Sequence, residues 1–207
     1  MTESGAQCQP SGECAGPVVD IGGWLRAGWL ATMDHIWALL ALMVLWVWAF
    51  AVFWKLHLHP LTLILLGPVT GAAYAVVLSA MRSGRPDFNR IAMSGQTFLQ
   101  LMLAGILIAI FVAVGLAFLI IPGLAMAALY LFALLLIVDR KLSFWEAMEE
   151  SRKAVQQDWI GFTAFVLALI GVNLLGLATM GLGVLLSGAV TWCAVTAAYR
   201  ELWPAEG

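Results

Sequence analysis

Apolar residues run along this chain in long stretches, while polar ones collect in a tail and two islands. The first stretch goes from His35 to Trp54 and the second from Leu61 to Met81, with Lys55 to Pro60 as a short turn between them. Each is close to the ~20 residues that a helix needs to cross ~30 Å of hydrocarbon. Phe98 to Val138 and Trp159 to Tyr199 each continue for about forty residues, twice what one crossing takes. Pro122-Gly123 is where the third stretch folds in two, and Gly176, Gly181 and Gly183 mark the fold in the fourth. The pattern predicts an all-α polytopic membrane protein: six transmembrane helices in three hairpins, with cytoplasmic amphipathic helices between them.

The polar segments carry their own helical periods. Ile21, Trp24, Leu25, Gly28, Trp29 and Thr32 recur as one face of a short surface helix from Asp20 to Asp34, with tryptophans suited to the membrane interface. In the island from Arg82 to Thr97, Pro86-Asp87 begins a helix with Asp87 as its cap. The densest island is DRKLSFWEAMEESRKAVQQD, from Asp139 to Asp158. Ser143 and Glu146 form a capping box at its start. Glu146, Glu149 and Glu150 precede Arg152 and Lys153, an order that suits the helix dipole. Trp145, Met148, Val155 and Trp159 take one side; Glu146, Glu149, Lys153 and Gln157 take another. With long apolar runs on both sides, this reads as a helix from Ser143 to Gln157 lying in the plane of the membrane surface. Trp145 and Met148 then face lipid or neighbouring helices, and Glu149 pairs with Lys153 on the wet side.

Composition narrows the class. The 207 residues are 63% hydrophobic and 11% charged, with mean hydropathy +0.96. A soluble domain carries about a quarter of its residues charged. The net charge of −2 provides no basic field for nucleic acid. Residues 1–19, rich in Ser, Gly, Gln and Pro, read as a disordered cytoplasmic tail. They show no basic segment before a short apolar core, so no cleaved signal peptide is expected. Residues 20–202 form the single six-helix domain, and 203–207 a C-terminal tail. Arg26, Arg82, Arg85, Arg90, Arg140, Lys141, Arg152, Lys153 and Arg200 all fall on one side of this threading, and Lys55 alone on the other. That bias places both termini and both islands in the cytoplasm.

Candidate chemistry is sparse. His35 sits at the inner end of the first helix, and His57 and His59 sit in the outer turn, poorly placed to face one another as ligands. Cys8 and Cys14 have no CxxC spacing or histidine partner, and Cys193 lies in an apolar run. None of the charged residues falls mid-helix, where an ion-coupled carrier needs one. Thr62, Thr70, Ser79, Gln100, Asn173, Ser187, Thr191 and Thr196 read as glue between helices, with Asn173 the best exception. Gly105, Ala109, Ala113 and Ala117 make a ridge of small residues, and Gly67 and Gly71 flank Pro68 in a closely packed, kinked helix. Gly181-Leu182-Gly183 follows no strand, and Ser143 and Ser151 have no histidine nearby. The sequence therefore names no catalytic, cofactor-binding or metal residue and implies no cofactor.

Weak repetition accompanies this pattern. Tyr74, Phe88, Gly105 and Gly115 recur at one offset as Tyr130, Phe144, Gly161 and Gly171, and Gly67-Pro-Val-Thr recurs as Gly188-Ala-Val-Thr. The reading is three units, each a surface helix followed by a hairpin, although apolar sequence of low complexity also produces such matches.

The segments GPVTGAAY, the Pro122-Gly123 turn, DRKLSFWEAMEESRK and the closing AAYREL resemble a broad group of uncharacterised six-helix bacterial inner-membrane proteins. The group is similar to the membrane domain fused to some glycerophosphodiester phosphodiesterases. The likeness runs from about Gly67 to Leu202 and lacks the catalytic phosphodiesterase domain. It implies the architecture and a bacterial inner membrane, and it brings no activity or site residues. The expected function is non-enzymatic: an accessory, assembly or scaffolding subunit whose partners are membrane lipids and other membrane proteins. The alternative is a carrier or lipid-handling protein. A polar or lipid-filled cavity between the hairpins favours the second, and a tightly packed bundle the first.

Overall fold

The computed structural model describes residues 19–204, apart from 56–58, 92–93 and 180–181. Among the described residues all regular structure is helical. In chain order the elements are α1 (Ile21–Asp34), α2 (Ile36–Lys55), α3 (His59–Ser83), a short 3-10 turn (Phe88–Ile91), α4 (Gly95–Phe118), α5 (Ile120–Leu129), α6 (Ala133–Arg140), α7 (Phe144–Gln156), α8 (Trp159–Ala178) and α9 (Leu182–Leu202). Four segments are long and apolar enough to cross a membrane: Leu65–Ser83, Gly95–Phe118, Pro122–Arg140 and Trp159–Ala178. A fifth arises if α1 and α2, bent by 97° at their junction, form one broken span.

α1 departs from the surface helix that its pattern predicts. Trp24 is only 3% exposed and Thr32 is fully buried. A Cβ on Gly28 would stand 2.7 Å from the backbone nitrogen of Ala194, so α1 and α9 touch backbone to backbone. The buried face is Trp24, Gly28 and Thr32, spaced four apart. That stripe is narrow, and the small residue at its centre admits a second helix closely. Trp24 also stacks on Phe162 and meets Phe165 edge-on, at 5.9 and 5.1 Å between ring centroids. Trp29 and Leu30 remain exposed on the other side.

The fold in the third apolar stretch also falls earlier than expected. The chain turns at Leu119, which is extended, and Pro122-Gly123 sits inside the first turn of α5. Proline is tolerated there because the first amides of a helix have no partner within it. Gly115 and Gly123 then lie back to back, a Cβ on either running into the other segment. Ten residues later the helix breaks at Tyr130–Phe132.

Candidate functional site

The polar segments converge on one end of the bundle. Arg82 stands in the last turn of α3, Asp139 near the end of α6 and Tyr199 near the end of α9. The Arg82 guanidinium engages both Asp139 oxygens, Nη1 on Oδ1 and Nη2 on Oδ2, the latter at 2.9 Å. The Tyr199 hydroxyl donates to Asp139 Oδ2 at 2.7 Å. One carboxylate thus ties three helices whose contributing residues lie 57 and 60 positions away in sequence. The two charged side chains are 28% and 13% exposed, so the pair is partly shielded without being dry. Beside it the Trp24 indole donates to Glu201 at 2.5 Å, tying α1 to the end of α9.

Two clefts flank this clasp. One, about 520 Å³, lies between α1, α3 and α9, with Trp24, Arg82, Arg200 and Glu201 in its walls. The other, about 940 Å³, lies between α3, α4 and the α6–α7 connection, with Asp87, Gln100, Asp139 and Lys141 among its lining. Local hydrogen bonds shape the larger cleft. Ser79 donates to the Val76 carbonyl and accepts the Asp87 amide at 2.9 Å. Asp87 accepts the Asn89 amide at 3.0 Å, so the expected cap is present on the 3-10 turn. Ser94 caps the following long helix, accepting from Thr97. Gln100 Oε1 accepts the Phe144 amide at 2.7 Å and so joins α4 to the start of α7.

α7 begins as its sequence predicts. Both arms of the capping box are made: the Glu146 amide donates to Ser143 Oγ and the Ser143 amide to Glu146 Oε2. The Ser143 hydroxyl, and then its amide, hold the Glu146 carboxyl below the usual range. Glu149 is held low mainly by the two bonds that Arg152 donates to it, at 2.8 and 3.0 Å. The expected partner Lys153 stands farther off, 3.8 Å from both Glu149 and Glu150. The apolar side of α7 divides between two environments. Met148 and Val155 are buried in the bundle, whereas Trp145 and, beyond the helix, Trp159 are 64% and 53% exposed.

Ser151 plays a part that its sequence context hides. It is fully buried, donates to the Leu129 carbonyl at 2.7 Å and accepts the Phe132 amide at 3.3 Å. One hydroxyl of α7 therefore satisfies the backbone groups freed where α5 gives way to α6. Neither that bond nor the Arg82–Asp139–Tyr199 cluster could be read from spacing. The available signal was that Arg82 and Asp139, of opposite sign, both stand where apolar stretches end.

Other sequence candidates resolve as packing. Asn173 donates to the Leu169 carbonyl and to Thr191, and accepts from Ser187, between α8 and α9. Thr191 and Thr196 bond back to carbonyls of their own helix. A Cβ on Gly67 would fall 2.0 Å from the Leu101 carbonyl oxygen, and Gly105 abuts Gly67, so this part of the ridge brings α3 and α4 together. Ala113 and Ala117 face outward. His35 occupies the α1–α2 junction, and Cys193 is buried in α9. His57, Cys8, Cys14 and the tails at 1–18 and 205–207 lie outside the described residues, as does the side chain of His59. Among the described residues no three His, Cys, Asp or Glu side chains are grouped as a metal site. No family model, curated protein or solved structure matches the chain.

Proposed function

We propose that this is a non-enzymatic integral membrane protein that works by packing against other membrane proteins, as an accessory, assembly or scaffolding subunit. The observation that carries the reading is the outer face of α2. Trp37, Ala41, Val44, Leu45 and Trp48 fall on one helical stripe, and Trp37 and Trp48 are 84% and 63% exposed. Rigid aromatic side chains at helical spacing suit a groove on a neighbouring helix as well as lipid. The small Ala41 between the two tryptophans leaves room for a side chain of that neighbour. The polar groups between α8 and α9 meanwhile bond to one another, as packing elements do. Purification from the native membrane in mild detergent is expected to recover a stoichiometric protein partner, lost when Trp37 and Trp48 are replaced by alanine. A clean monomer or homo-oligomer throughout overturns the reading.

The finer threading belongs to the same proposal: six crossings, both termini cytoplasmic, in a bacterial inner membrane, as the likeness to the phosphodiesterase-fused membrane domain implies. The one-sided basic residues support it. A cysteine at Ser83 is expected to resist a membrane-impermeant thiol reagent in intact cells while one at Leu58 reacts; reversed labelling inverts the orientation. The larger cleft favours the second reading, a lipid-handling protein, because it is polar, roomy and open at a membrane end.

A further inference from the structure

We propose that the cleft between α3, α4 and the α6–α7 connection holds the head group of a zwitterionic phospholipid, one bearing a phosphate and an ammonium. This rests on the second reading and is independent of any protein partner. Its volume of about 940 Å³ suits a head group with its glycerol. Its lining is two-sided: Ala75, Ile137 and Leu142 are apolar, whereas Asp87, Gln100 and Lys141 are polar or charged. That division matches an amphiphile entering from the end of an apolar bundle.

The donors are defined by what their neighbours already use. Gln100 must turn its carbonyl oxygen to the Phe144 amide, because that group can only donate. Its own NH2 group is thereby directed elsewhere, and it makes no hydrogen bond among the described residues. Lys141 forms no ion pair among the described residues. Together they offer an ammonium and an amide to a phosphate oxygen. The Asp139 carboxylate in the same wall is engaged by Arg82 and Tyr199. The formal charges of Lys141 and Asp87 cancel, so the cleft favours a head group of no net charge over an anionic one.

The test is native mass spectrometry of the whole delipidated protein, titrated with short-chain phosphatidylethanolamine, phosphatidylglycerol, O-phosphoethanolamine and inorganic phosphate. The proposal expects phosphatidylethanolamine to bind at least about tenfold more tightly than phosphatidylglycerol, and Lys141→Gln and Gln100→Glu each to weaken it about tenfold. Gln100→Glu keeps the acceptor for Phe144, so helix docking survives, and Lys153→Gln, outside the cleft, is expected to bind as the parent does. Equal retention of both lipids, or binding unchanged in both cleft variants, overturns the site. O-phosphoethanolamine binding as tightly as the lipid overturns the lipid as its source, and inorganic phosphate doing so overturns head-group recognition. Partner recovery through α2 is read separately and is expected to be the same in the cleft variants.

Discussion

The polar end and the apolar middle of this bundle are held together by different means. At the polar end a charged pair and a phenol join residues 57 and 60 positions apart. In the middle, contact is made through glycines, as at Gly67 against Leu101 and Gly105, and through one neutral amide, Asn173, bonded to its hairpin neighbour. The difference follows from solvation. A charged pair near a helix end keeps some access to water, which limits the cost of desolvating it. Within hydrocarbon an unsatisfied polar group costs several kcal/mol, so only neutral groups with near-complete bonding are tolerated. Backbone contact in the middle sets how closely helices approach. The long-range bonds at the end set which helices lie side by side.

The comparison breaks most directly at Asp139. Asp139→Leu strands both Arg82 and Tyr199, and is expected to cost roughly 3 kcal/mol, the lower edge of what breaking a buried ion pair costs. Asp139→Asn, which retains an oxygen for Tyr199, should cost clearly less. Chemical or thermal unfolding of the purified protein reads both. If Asp139→Leu is silent, the clasp is ornamental and the middle alone orders the helices.

Next in size is the middle itself. Gly67→Ala places a methyl against the Leu101 carbonyl, and overpacking of this kind costs about 1–3 kcal/mol. The helices must separate, so a cysteine pair across α3 and α4 near this crossing is expected to cross-link more slowly in the variant. An unchanged rate means that the crossing is loose.

These two ties were unequally legible in the sequence. Small residues at spacing four announce close approach wherever a helix meets a neighbour, which is why Gly67 and Gly105 could be named before their contact was visible. The capping box at Ser143 is legible for the same reason: both partners lie within one turn. The clasp was not legible, because a pairing between Arg82 and Asp139 depends on how two hairpins pack. α1 was misread for a related reason. Its tryptophans fit the membrane interface equally well, and only the path of α9 decides that Trp24 is buried while Trp29 is not. The break at Tyr130–Phe132 escaped because an apolar run conceals where its backbone is served from outside, here by Ser151.

A smaller effect sharpens the contrast. Asn173→Leu removes the bonds to Thr191 and Ser187 while adding apolar bulk, and interhelical bonds of this kind average about 0.6 kcal/mol and reach about 1.7. The expected loss is about 1 kcal/mol, measured by the same unfolding assay, and Asn173→Leu should add to Asp139→Leu without coupling, because the two ties share no partner. A coupling above about 0.5 kcal/mol joins the two regions into one network and dissolves the distinction.

The smallest effect is local to α7 and belongs wholly to the polar end. Ser143→Ala removes the cap and is expected to cost about 1 kcal/mol. The capping box adds a pH dependence of known sign. Glu146 is held below the usual glutamate range in the folded protein by Ser143, so its contribution is fully present above the unfolded value of about 4.3 and fades as pH falls through the lower folded value. Protection of amides from Ala147 to Val155, corrected for intrinsic exchange, should be high and flat near neutral pH and fall only in acid. In Ser143→Ala it should start lower and lose most of that acid-dependent step, while protection in α8 and α9 stays as it was. If protection in α7 is low already at neutral pH in the parent protein, the helix is not anchored, and Ser151 cannot be holding the break between α5 and α6.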